Sequence, residues 1–168
     1  MAVKALIQAD GRQCRHMILS LGLKAMCYTI YLSTDSPADL CVHNTELVRF
    51  DICDNKIDDP VVKLLEFPQR WYVGSKSECS CTFRHLLSVD LGFGEPVDWY
   101  PEEQDALQAT RELYEVISSL LSSGYKVDCI DKWEGAEPND IQTLDVSLDD
   151  VSSKTFRLFE NHRFRIKK

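Results

Sequence analysis

Cys79 and Cys81 form the only close cysteine pair in the chain, and His85 follows four residues later. The stretch from Arg70 to His85 has aromatic and β-branched residues on both sides of a polar segment, which predicts two strands joined by a turn. Because side chains alternate along a strand, both cysteines would face the core together with Phe83 and His85. The residues expected on the solvent face of this strand are Ser80, Thr82 and Arg84.

Two thiols on one face allow three interpretations. The pair can be buried as small apolar side chains, which is the common fate of free cysteine and the interpretation that we favour. It can also bind zinc, although zinc prefers four ligands, and local cysteines are usually spaced by two to four residues. The other ligands must then come from elsewhere in the chain. The predicted metal ligands are Cys79, Cys81, His43 and Cys53, with Cys41 and Cys129 as alternatives.

The third interpretation, a redox or nucleophilic thiol, fits the predicted strand poorly. The Cα atoms of Cys79 and Cys81 would lie roughly 6.5–7 Å apart, at the limit of what a disulfide spans. Cys81 and His85 would be about 13 Å apart, whereas a nucleophile and its base need about 3 Å. The sequence therefore predicts no catalytic residue.

The composition indicates an ordinary globular protein. With 168 residues, 44% of them hydrophobic, the chain is long enough for one domain with a real core. We expect residues 1–26 to be a loosely ordered leader and residues 27–168 to be a single domain. A net charge of −8 disfavours binding to nucleic acid or to an anionic membrane. Seven cysteines, an odd number at irregular spacing, favour reduced thiols and a cytoplasmic location.

The hydrophobic pattern predicts one long helix among several strands. The helix runs from Glu102 to Ser123, opened by Pro101 and closed by Gly124. Short helices are predicted over residues 61–67 and 154–159. Clustered strands with one long helix are typical of an α+β fold, in which the helix packs on one face of a mostly antiparallel sheet. The predicted strands outside the central hairpin cover residues 27–32, 47–53, 125–133, 144–148 and 163–166.

Two segments could contact other molecules. Residues 86–100 contain Gly92 and Gly94 and form a loop that is a candidate lid if the protein has a ligand. The segment from Lys154 to Lys168 carries six basic residues and one acid. We expect this basic segment to dock on the acidic body of the protein or to lie in solvent; the less favoured alternative is a contact for RNA or an anionic partner.

The sequence favours a soluble, intracellular, non-catalytic binding or protein-interaction module. Its expected partners are a second copy of itself or a small-molecule ligand. The alternative is a metal- or thiol-dependent protein that uses Cys79 and Cys81, with zinc as the ion.

Overall fold

The computed structural model describes residues 27–53, 58–75, 79–86 and 89–168. The predicted leader, which includes Cys14, lies outside the described residues, and so does the polar turn at 76–78.

The fold is α+β, as predicted, and is built on a six-stranded sheet with the order β2-β3-β1-β5-β8-β6. Every neighbouring pair is antiparallel except β6 and β8, and the first predicted strand lies centrally. A second, two-stranded sheet pairs β4 with β7 in parallel. The strands are β1 (Tyr28–Thr34), β2 (Val48–Ile52), β3 (Gln69–Ser75), β4 (His85–Leu86), β5 (Val127–Trp133), β6 (Gln142–Ser147), β7 (Leu158–Phe159) and β8 (His162–Lys167). Short 3-10 helices cover Leu40–His43, Pro60–Leu64, Val89–Leu91, Pro138–Asp140 and Leu148–Asp150.

The α-helix α1 (Gln104–Ser122) is terminated by Gly124, which lies two residues beyond its last residue. Glycine accepts the left-handed conformation found there, with a φ of 87°. The N–H groups of Gly124 and Tyr125 bond to the carbonyls of Leu121 and Leu120, which is the Schellman arrangement. The helix buries Leu113 and Ile117 against one face of the sheet. Its bounds differ from the predicted ones by one or two residues at each end.

The two faces of the sheet carry different cores. The face towards α1 is apolar and includes Ile30, Leu32 and Phe164, which are fully buried. On the opposite face a smaller apolar cluster forms around Tyr31 and Ile130. The 3-10 helix Pro60–Leu64 contributes Val61 and Val62 to that cluster and overlaps the short helix predicted over residues 61–67.

The predicted hairpin consists of β3 and a second strand, and the prediction of that second strand is wrong. Residues 79–84 form turns, and β4 pairs with β7 rather than with β3. Within this turn the Phe83 N–H donates to the Ser80 carbonyl at 3.3 Å, and the N–H and hydroxyl of Ser75 both donate to the Cys79 carbonyl, at 2.8 and 2.7 Å. Ser80 and Arg84, expected in solvent, are 0% and 3% exposed, whereas Cys81 is exposed.

The basic C-terminal segment forms ion pairs with acidic side chains. Arg163 bonds to Asp128 through both Nε and Nη2, at 2.8 and 2.6 Å. Arg165 reaches Asp145 on the neighbouring strand β6 at 2.7 Å. The predicted helix at 154–159 is wrong, because Thr155 and Phe156 turn back onto the Ser152 carbonyl and β7 follows. In the part of the chain that the structure describes, no helix is long and apolar enough to cross a membrane.

Candidate metal centre

Three cysteine thiols meet at one end of the sheet. The Sγ atoms of Cys27, Cys79 and Cys81 all lie within 4.8 Å of one another. Cys27 directly precedes β1, and the other two lie in the turn that follows β3. In a tetrahedral site with Zn–S bonds of about 2.3 Å, the sulfur atoms lie about 3.8 Å apart. The thiols therefore need to approach one another by at most about 1 Å to share one ion.

Ser80, between the two cysteines of the turn, fixes their position. It is fully buried, and its Oγ donates to the Val73 carbonyl at 2.7 Å and accepts from the Ile30 N–H at 2.9 Å. These two residues are the last pair in the β1–β3 ladder on this side. The Ser80 N–H donates to the Tyr28 carbonyl at 3.2 Å. One side chain thus joins the end of both strands and places Cys79 and Cys81 beside Cys27.

His85 forms a hydrogen bond to the same turn. Its Nε2 lies 2.6 Å from the Ser80 carbonyl, and because a carbonyl only accepts, Nε2 carries the proton. Its Nδ1 lies 2.7 Å from Oδ2 of the buried Asp131, and its ring stacks on Tyr28 with centroids 3.9 Å apart. Burial favours the neutral imidazole, but the Asp131 carboxylate outweighs it and raises the pKa of His85.

This arrangement excludes His85 as a base for a cysteine nucleophile. Its Nε2–H donates to the Ser80 carbonyl, and its Nδ1 pairs with the Asp131 carboxylate. The imidazole reaches the Ser80 carbonyl because the chain turns before His85 and does not continue as the predicted strand. His85 is therefore a positioning residue for the turn.

The thiols of Cys27 and Cys81 are not set up to act as free thiolates. Cys81 is exposed as a residue, but the protein around its thiol partly desolvates the sulfur, which is the main cause that raises the pKa of Cys81 to about 12; desolvation also raises the pKa of Cys27. A nucleophilic cysteine needs a lowered pKa, which this site does not provide. Two N–H groups do point at sulfur: Tyr28 donates to Cys81 at 3.4 Å, and Cys81 donates to Cys79 at 3.3 Å. Such donors stabilise sulfur once a metal ion has displaced the protons.

The structure brings together two of the four predicted ligands. His43 is an exposed residue of the 3-10 helix beside the edge strand β2. Cys53 follows β2, and its N–H bonds to the carbonyl of Arg70 at 2.9 Å. Arg70 lies five residues from Ser75, roughly 16 Å along β3. Neither His43 nor Cys53 belongs to the thiol group that the described residues form.

The two alternative cysteines are also placed elsewhere. Cys41 donates its thiol to the Phe50 carbonyl at 3.2 Å, and Cys129 is fully buried opposite Leu32 in the core. Sequence analysis missed Cys27 because it is 52 positions from Cys79 (79 − 27 = 52). Only the order of the strands brings these two residues together.

Comparison of the chain with protein-family models, with curated proteins and with solved structures gives no match. The thiol cluster and its surroundings are therefore the basis for assigning a function.

Proposed function

We propose that this chain binds one thiophilic metal ion, with zinc as the first candidate, through Cys27, Cys79 and Cys81. The observation that supports this function is the mutual approach of three Sγ atoms to within 4.8 Å. Thiolates are soft ligands that select Zn²⁺, Cu⁺ and iron–sulfur clusters over Mg²⁺ or Ca²⁺. Two backbone N–H groups are directed at these sulfurs and would stabilise them as thiolates when an ion is bound.

The proposed ion has a structural role in a non-catalytic binding domain. It would tie the start of β1 to the turn at 79–84, which the β1–β3 ladder does not reach. Structural zinc normally has four ligands. Within the described residues the group contains three, so water or a donor outside them would complete the coordination.

We further propose a reducing compartment such as the cytoplasm and a partner-binding surface for this domain. The chain contains seven cysteines, an odd number at irregular spacing, which supports the first proposal. Exposed apolar side chains support the second, because large exposed apolar groups often mark contact surfaces. The most exposed are Val42, Trp99 and Ile52, at 76%, 70% and 64%.

The experiment that tests the metal site measures zinc per chain by elemental analysis on untagged protein purified without chelator. The wild type is compared with Cys79→Ser, Cys27→Ser and Cys41→Ser. Cys41 is an exposed thiol outside the cluster, so its variant is the matched control. We expect about one zinc in the wild type and in the control, and a large loss in the two cluster variants.

Thiols are counted on the same samples after unfolding. Seven reactive thiols together with bound zinc support the proposal, since the chain contains seven cysteines. Five reactive thiols and no metal would show that two cluster cysteines form a disulfide instead. Seven thiols and no metal uptake would show that the three cysteines only pack against one another and do not bind an ion.

A further inference from the structure

A pocket of about 260 Å³ opens on the surface beside α1. Leu107 and Arg111 of α1 form one wall, and Glu95 and Pro96 form another. That second wall lies in the loop that the sequence marks as a candidate lid. The turn that contains Ser153, Lys154 and Phe156 closes the third side, with Arg84 also in the lining.

Buried charge next to this pocket is unbalanced. The side chains of Arg84, Arg157 and Glu102 are 2%, 3% and 6% exposed, so two guanidinium groups share one carboxylate. Arg84 forms a two-pronged ion pair with Glu102, which leaves Arg157 at 3.7 Å from the same carboxylate. The Nε of Arg157 has no hydrogen-bond partner among the described residues. Within the described residues roughly one buried positive charge is uncompensated, and such a charge favours an anion nearby.

Arg84 supplies charge to the pocket but no free donor. Its five N–H groups are directed at Glu102, at the Gly94 carbonyl, and at the carbonyls of Lys154 and Phe156. Arg157 bonds to the same Gly94 carbonyl at 2.5 Å, which places both arginines side by side. Burial and the neighbouring Arg84 lower the pKa of Arg157, as expected for crowded cations.

Free donors lie at the rim of the pocket. Arg111 and Lys154 are exposed, and within the described residues Arg111 meets only the amide oxygen of Gln108, at 3.3 Å. No carboxylate of the described chain pairs with the ammonium of Lys154. Three cations and one acid line the pocket, on a chain whose net charge is −8. A local positive field of this kind concentrates anions.

We propose that this pocket binds a small organic anion. Arg111 and Lys154 contact the anionic group, and an apolar body lies against Leu107 and Phe156. The ligand class is a carboxylate or phosphate monoester on a single small ring or short chain, because the volume is below that of a typical drug-sized site. None of the residues that line this pocket belongs to the thiol cluster.

Phenyl phosphate is the test probe, titrated into ¹⁵N-labelled full-length protein and followed by NMR and calorimetry. Benzoate distinguishes a carboxylate ligand from a phosphate ester, inorganic phosphate tests the anionic group alone, and benzyl alcohol tests the ring alone. The double variant Arg111→Gln/Lys154→Gln removes both rim cations. Its matched control is Lys63→Gln/Lys167→Gln, which removes two exposed charges elsewhere.

We expect phenyl phosphate or benzoate to shift the amides of residues 95–96, 107–111 and 153–156, with affinity reduced at least about tenfold in the rim variant. The control variant should bind within about twofold of the wild type, since its charges act through solvent. An equal loss of affinity in both double variants would show that only the net charge of the protein matters, and would overturn the proposal. Binding of benzyl alcohol as tight as that of phenyl phosphate, or no saturable binding of either anion, would also overturn it.

Discussion

The Ser80 hydroxyl joins β1 to β3 beside the thiol cluster, and its removal tests whether these two hydrogen bonds hold the turn in place. Ser80→Ala deletes one oxygen and changes the shape of the turn very little. It leaves the Ile30 N–H and the Val73 carbonyl without their partner, at a position where Ser80, Ile30 and Val73 are all 0% exposed. Both backbone groups then carry a desolvation cost that the wild-type protein avoids.

The expected loss follows from these two bonds. A buried backbone group left unsatisfied costs about 1–3 kcal/mol, so the pair gives about 2–6 kcal/mol. For a chain of this size that loss lowers Tm by roughly 4–24 °C. Ser119→Ala is the control, because Ser119 lies on the exposed face of α1 and its replacement should change stability by less than about 0.5 kcal/mol.

Urea denaturation of metal-free protein, monitored by tryptophan fluorescence and circular dichroism, measures the difference between the two variants. A chelator keeps the protein metal-free during the measurement. This is needed because bound metal would stabilise the folded protein by about 2.7 kcal/mol when the free metal concentration is a hundred times Kd. A loss below about 1 kcal/mol for Ser80→Ala, similar to Ser119→Ala, would refute the role of the hydroxyl as the joint between β1 and β3.

Three further predictions concern other parts of the fold. Arg84→Lys cannot form the two-pronged pair with Glu102 and should cost about 3–5 kcal/mol by urea denaturation; a cost near zero would contradict a structural role for the pair. The raised pKa of His85 means that the native protein holds a proton which the unfolded chain loses above about pH 6.5, so stability should fall from pH 6 to 8. Asp131→Asn should flatten that slope, and an unchanged slope would contradict the assignment. Gly124→Ala should cost about 1–2 kcal/mol because of the positive φ, and no loss of Tm would contradict it.

Local signals predicted the helix and the fold class well. Pro101, the acids near it and Gly124 all lie close to the ends of α1, and each acts on backbone groups within one turn. The central position of β1 also followed from its own residues, which are apolar on both faces. Information of this kind does not depend on knowing which segments meet in space.

The turn at 79–84 was predicted wrongly because its contacts are distant in sequence. Its alternating pattern fits a strand, yet Ser80 bonds to Ile30 and Val73, and Arg84 bonds to Glu102. Polar residues that find such partners are buried despite their type. The same reason hid Cys27 as a candidate ligand, since its nearness to Cys79 requires the order of β3 and β1 in the sheet.

Co²⁺ titration measures directly whether Cys27 shares one metal ion with Cys79 and Cys81. The absorbance of the sulfur-to-cobalt charge-transfer band scales with the number of thiolates bound to the ion. We expect a one-to-one complex with three thiolates in the wild type and in Cys41→Ser, and a weaker complex with two in Cys27→Ser. An identical band and affinity in Cys27→Ser, or no thiolate band in the wild type, would contradict this expectation.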